Sequence, residues 1–174
     1  MLPNTVTSIR ERAFYGCTNL SLKELPDSIV KIGNSAFYQC TNLPLKRLPN
    51  SVVTIGTSAF YGCSNLEITQ IPASVTSIGG SAFRENTKLT SVTVLGEPRL
   101  DAYVFDGCSN LTKFILPNVT KVITGGSSMF TDTPISTGIG YIYVPDELVD
   151  SYKNGVKWNA YASHIKGTSE LEEI

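Results

Sequence analysis

Several independent residue series in this chain advance by the same 23 positions, and that coincidence limits the fold more than any other feature. Leu2-Pro3, Leu25-Pro26 and Leu48-Pro49 are followed in register by Ile71-Pro72. Phe14, Phe37, Phe60 and Phe83 each follow an alanine, at Ala13, Ala36, Ala59 and Ala82. Asn19-Leu20, Asn42-Leu43 and Asn65-Leu66 keep the same step, with Lys88-Leu89 fourth. A fixed period of this length is the signature of stacked supersecondary units, in which each unit buries its apolar face only against its neighbours.

The period then loosens. Phe105, Cys108 and Asn110-Leu111 come 22 residues after their predecessors or predecessor positions, and Leu116-Pro117 resumes the pattern. The stretch Thr124-Gly125-Gly126-Ser127-Ser128 adds about three residues before Met129-Phe130, which stands where Ala-Phe stood. The count is six coils of 22–25 residues, with a final strand at about residues 141–144.

Within a coil, Val6 and Ile9, Ile29 and Ile32, Val52 and Ile55, and Val75 and Ile78 frame a brief β-branched strand. Gly33, Gly56 and Gly79 close it with a turn. The next segment, such as Ser35 to Cys40, is too short for a stable α-helix and predicts a 3₁₀ or helical turn. A second strand runs to the Leu-Pro step, where proline lacks the N–H to continue a ladder. Stacking aligns Phe14, Phe37, Phe60, Phe83 and Phe105 in one column at the strand spacing of about 4.8 Å.

The returning strand reads Leu20, Leu22, Leu25, then Leu43, Leu45, Leu48, then Leu66, Ile68, Ile71, but changes to Leu89, Val92, Val94 in the fourth coil. One face cannot hold both spacings without a bulge or register shift, so the sheet surface should change midway. Outward positions one before the last apolar residue form a column of Glu24, Arg47, Gln70, Thr93 and Ile115, the candidate binding face. Tyr15, Tyr38 and Tyr61 form another column on the turn side, for which a structural role is the simpler reading.

The pattern Leu-Pro-x-Ser-Val-x-x-Ile-Gly-x-Ser-Ala-Phe-x-x-Cys-x-x-Leu, clearest in 48–66 and 25–43, resembles the BspA-type leucine-rich repeat family over about residues 1–144. That resemblance implies a right-handed leucine-rich-repeat solenoid, β-rich with short parallel strands. It also implies a cell-surface or secreted bacterial protein that adheres to a host matrix or cell-surface protein. Residues 145–174 are expected to form a small helical cap and tail. Pro145 with Asp146 and Glu147 starts a helix whose Leu148, Val149 and Tyr152 share a face, and Trp158, Tyr161 and Ile165 mark a second amphipathic piece. The tail from Thr168 to Ile174 reads as acidic and loose. Met1 enters at a Leu-Pro step with no preceding cap, which would expose apolar core and points to truncation, an upstream domain or end-to-end self-association.

Chemistry is harder to find. Cys17, Cys40, Cys63 and Cys108 recur at the repeat period rather than in pairs, as buried thiols would. No C-x-x-C spacing is present and His164 is the sole histidine, so neither zinc nor another cofactor is expected. Asp101 and Asp106 read as solvated loop residues, and no nucleophile–base set is apparent, which predicts a non-enzyme. With 14 basic and 15 acidic residues there is no basic stripe for nucleic acid. The longest apolar runs are too short to insert in a membrane. No leader-like segment follows Met1, so an exported form would have lost its leader. The remaining alternative to a binding module is a structural spacer or self-associating unit within a larger protein.

Overall fold

The computed structural model describes residues 2–171, wound as successive coils that meet through two parallel sheets. The first sheet takes two residues from each coil: β1 Ser8–Ile9, β2 Lys31–Ile32, β3 Thr54–Ile55, β5 Ser77–Ile78 and β7 Arg99–Leu100. Its register aligns Ile9, Ile32, Ile55, Ile78 and Leu100 in one inward column. The second sheet runs in the order β4 Gln70–Ile71, β6 Ser91–Val94, β8 Lys113–Ile115, β9 Tyr141–Val144 and β10 Ile165–Gly167. Every pairing is parallel, as coils wound in one direction require.

The second strand expected in every coil is absent from the first two, where residues 20–25 and 43–48 have no regular structure. The apolar side chains there are two and then three residues apart, a spacing the third coil shares while pairing only at Gln70–Ile71, and in the second coil Pro44 removes a donor. The strand begins with two residues in β4 and reaches four in β6, where Val92 and Val94 alternate cleanly inward. The predicted midway change of surface is thus a lengthening of the sheet. Strand β9 lies where the last strand was expected, but β10 pairs beyond it in the segment read as purely helical.

The turn segment differs from a 3₁₀ helix. Ala36 N–H bonds Gly33 O and Cys40 N–H bonds Phe37 O, which makes two successive four-residue turns. Their third residues, Ser35 and Gln39, have φ of 51° and 57°. The same left-handed pair recurs at Ser58 and Gly62, Ser81 and Glu85, and Tyr103 and Gly107. The resulting kinks leave N–H groups along the solenoid axis, so Phe14, Phe37 and Phe60 N–H bond Ala36, Ala59 and Ala82 O at 2.8 Å in the next coil. Gly56 is required for a different reason, since its φ is not left-handed. A Cβ there would lie 2.6 Å from Asn34 N of the preceding coil.

Phe14, Phe37, Phe60, Phe83 and Phe105 stack with ring centroids 5.2–5.4 Å apart and planes within 7°. Phe130 extends the column at 5.9 Å, so the irregular sixth coil keeps its core residue. Beside this column runs a ladder of side-chain donors. The thiols of Cys40, Cys63 and Cys108 each donate to the carbonyl of Phe14, Phe37 or Phe83 at 3.0 Å, one coil back. In the fourth coil Asn86 holds the position and its Nδ2 donates to Phe60 O at 2.9 Å. Its Oδ1, fully buried, finds no donor.

The segment after β9 continues as a 3₁₀ turn Asp146–Leu148, helix α2 Val149–Lys153 and a second 3₁₀ stretch Asn159–His164 (the earlier α1, Pro134–Thr137, lies in the sixth coil). Its buried aromatics satisfy the last coil's backbone. Trp158 Nε1 donates to Ile123 O at 2.8 Å, Tyr152 Oη accepts from Ile123 N–H, and Tyr161 Oη accepts from Phe130 N–H. Tyr161 meets Phe130 edge-on at 83°, which ends the stack. The tail is less loose than its composition suggests: Thr168–Glu170 form a turn in which Ser169 Oγ donates to Asp146 Oδ1 at 2.9 Å. Residues 172–174 of that tail, and Met1, lie outside the described residues.

Two stability outcomes follow. Phe60→Ala removes a ring stacked on both sides and should lower unfolding free energy by about 3–5 kcal/mol in urea titration. Asn86→Cys should raise it by about 1 kcal/mol, because the thiol keeps the donor and removes the unmatched oxygen. Asn86→Ala, which loses both, should not.

Candidate functional site

The reactive groups are used structurally. Burial pushes the Cys40 thiol up to about 11, that of Cys108 up to about 12, and that of Cys63 up as well. A thiol held protonated and donating to a carbonyl is a poor nucleophile. Cys17, in the first coil, is exposed, unlike the buried residue its spacing predicted. Asp106 also departs from expectation: it is 5% exposed, and its carboxylate pairs with Arg84 Nε at 2.9 Å. Burial raises its pKa, while the Arg84 guanidinium opposes that rise. Asp101 pairs with Arg99 at 2.6 Å. Among the described residues no group of three or more His, Cys, Asp or Glu side chains could hold a metal ion.

The turn-side tyrosines stack on one another, Tyr15 on Tyr38 at 4.7 Å and Tyr38 on Tyr61 at 4.8 Å. Arg84 covers the far side of Tyr61, with its guanidinium 5.6 Å from the ring centroid. Both faces of Tyr38 and Tyr61 are therefore occupied within the protein, while Tyr15 at the end of the column is 51% exposed.

The outer face of the second sheet is the remaining candidate. Register pairing places Gln70 beside Thr93 and Thr93 beside Ile115. Glu24 and Arg47 are exposed but lie in coils without this strand, and Arg47 donates to Asp27 at 3.0 Å. The sheet thus brings together three of the five expected residues. It also adds two that were not foreseen, because Tyr143 pairs with Ile115 and Lys166 with Tyr143. The alternation Tyr141-Ile142-Tyr143-Val144 carried a signal for the first, but the insertion of about three residues before it hides the register. No periodic cue marks Lys166.

Ile115 is only 9% exposed and its register neighbour Tyr143 6%, although neither belongs to the inner core cluster. Further back along the sheet, charges on this side of the molecule are paired locally. Glu67 meets Lys46 at 3.6 Å and bonds Lys88, which holds its carboxyl below the usual range. At the other end Thr112, Lys113, Ile139, Tyr141, Tyr143, Lys166 and Glu170 line a cleft of about 260 Å³. The ammonium of Lys166 lies 4.1 Å from the centroid of the Tyr141 ring. A separate cavity of about 470 Å³ opens at Leu20–Glu24 in the first coil.

Comparison with known proteins agrees with this architecture. A family model described as the BspA-type leucine-rich repeat region matches residues 1–99 and 47–152, in six copies. A leucine-rich repeat protein from Bacteroides ovatus is similar over 83% of this chain and 42% of its own, with 27% identity and a TM-score of 0.60. The leucine-rich repeat protein of T. pallidum is similar over 73% of this chain and 70% of its own, with 28% identity and a TM-score of 0.61. A protein described as a leucine-rich cell surface protein, from Faecalibacterium prausnitzii, shares the fold at 24% identity and a TM-score of 0.50, over 97% of this chain and 53% of its own. No curated protein matches. This chain therefore spans less than half the length of the Bacteroides ovatus protein.

The arrangement of thiols makes a direct expectation. In the native protein at pH 8, a thiol-specific reagent should modify Cys17 promptly, while Cys40, Cys63 and Cys108 react only as fast as the solenoid opens. Quantifying labelled peptides against time in native buffer and in urea separates the two classes.

Proposed function

Because this chain belongs to the BspA-type leucine-rich repeat family, we propose that it is a non-catalytic adhesion module that binds a host or bacterial protein. Leucine-rich repeat domains are protein-interaction modules. The observation that carries the reading is the second sheet's outer face, where Gln70, Thr93, Ile115, Tyr143 and Lys166 stand in continuous register. Glu24 and Arg47 extend that side of the molecule toward the first coil. A solenoid presents such a surface rigidly, since each side chain is fixed by the coil beneath it. Use of the buried thiols in the core, rather than in a reactive cleft, supports the non-catalytic part. The cell surface or extracellular space is the location proposed with it, residues 1–144 being the solenoid and 145–174 its cap and tail.

A second reading, a spacer or self-associating unit, draws on the first coil. Leu2, Val6, Phe14, Leu20 and Leu22 are only partly buried there, beside the cavity at Leu20–Glu24. The opposite end carries Tyr152, Trp158 and Tyr161 over the sixth coil, so first coil would meet first coil rather than cap.

Capture on a panel of immobilised extracellular-matrix proteins, with Glu24→Arg and Arg47→Glu variants, tests adhesion. Retention should fall about tenfold where the partner spans the face. Retention unchanged in both variants would remove these two residues from the binding face. Gel filtration across a hundredfold dilution tests the self-association in this second reading, which a concentration-independent monomer would exclude.

A further inference from the structure

The outward residues of the second sheet change character toward the cap. Arg47, Lys46 and Lys88 are neutralised by Asp27 and Glu67 within the first coils. Past β6 the same face carries Lys113 and Ile115, then Tyr141 and Tyr143, then Lys166. Lys113 stands directly beside Tyr141 in the register and has no ion-pair partner among the described residues. Among the described residues lining the cleft Glu170 is the one carboxylate, and it meets Lys166 at 3.6 Å. The described lining thus carries two cations against one carboxylate in a chain whose formal net charge is −1.

Its apolar component is equally marked. Ile139, 73% exposed, lines the cleft together with Tyr141, whose ring Lys166 covers. A volume of about 260 Å³ falls below the 300–1,000 Å³ typical of small-molecule sites. It suits one or two side chains of a protein partner. Aromatic residues are enriched at interface cores, which a polar rim surrounds, and tyrosine is a frequent anchor.

We propose that this cleft docks a protein segment that carries a carboxylate next to an apolar side chain. The carboxylate pairs with Lys113, and the apolar group lies against Ile139 and the Tyr141 ring. The proposal rests on the reading of this face as a binding surface, and names the chemistry of the partner it takes.

The test uses the full chain and two labelled peptides of equal length, one of Glu, Leu and Ser, the other with Lys in place of Glu. Fluorescence anisotropy should give the Glu peptide about tenfold tighter binding, with affinity that falls as salt rises. Lys113→Glu and Ile139→Asp should each weaken it about tenfold, Lys113→Gln by less, and Lys31→Glu on the other sheet not at all. Circular dichroism establishes that each variant keeps its fold. Equal affinity for the two peptides, no binding of the Glu peptide, or indifference to Lys113→Glu overturns the proposal. Matrix-protein capture that is lost with the Glu24 and Arg47 reversals, while the Glu peptide ignores Lys113, would leave the adhesion reading standing and this one refuted.

Discussion

The stacking of each coil on the next governs nearly every other feature of this protein. A single coil of about 23 residues has strands two residues long and cannot pair its own backbone or enclose its own apolar side chains. Repetition solves both problems at once. Phenylalanine rings 5.2–5.4 Å apart fill the interior, and N–H groups aimed along the axis meet the carbonyls of the next coil at about 2.8 Å. The cysteine position belongs to this economy. It needs a small apolar side chain with one donor to reach the phenylalanine carbonyl of the preceding coil, and a thiol fits that description. The glycine at 56 belongs there too, because close coil approach leaves no room for a Cβ.

What periodicity encodes was legible in the residues alone. The phenylalanine column, the inward isoleucines and the register of Gln70, Thr93 and Ile115 all follow from steps of 23 and then 22 and the alternation of strands. What depends on the sign of φ was not. Ser35, Gln39, Ser58 and Ser81 adopt left-handed backbone without being glycine or asparagine, so nothing in their identity distinguishes two kinked turns from a 3₁₀ helix. The stacking imposes that conformation, since only the kinked path aims N–H groups at the neighbouring coil. Asp106 was missed for a related reason. Its position after Phe105 holds tyrosine in the first three coils, and only the three-dimensional column shows that Arg84 of the preceding coil covers it.

The two ends of the solenoid solve the edge problem differently. At the C-terminal end the repeat could not supply a further coil, so side-chain oxygens and an indole nitrogen substitute for backbone partners. Trp158 and Tyr152 pair with Ile123, and Tyr161 pairs with Phe130, which is where the next coil's own N–H and C=O groups would have come. Amphipathic residues suit this role because one end packs against the core while the other bonds the backbone. The strand β10 then extends the second sheet by one more parallel pairing, which brings Lys166 beside Tyr143.

That extension bears on recognition. A surface built from identical coils is nearly invariant to a shift of one repeat, so a partner could bind in several registers of similar energy. Specificity is a difference in free energy between the intended arrangement and its competitors, and a uniform column offers little difference. Irregularity breaks the degeneracy. The residues inserted before Met129, the short helix α1 at Pro134–Thr137 and the loop that exposes Ile139 occur once along the solenoid. So do Tyr141 and its Lys166 neighbour. The regular coils therefore supply rigidity and length, while the largest departure from the period, next to the cap, supplies the feature by which one register can be told from the next.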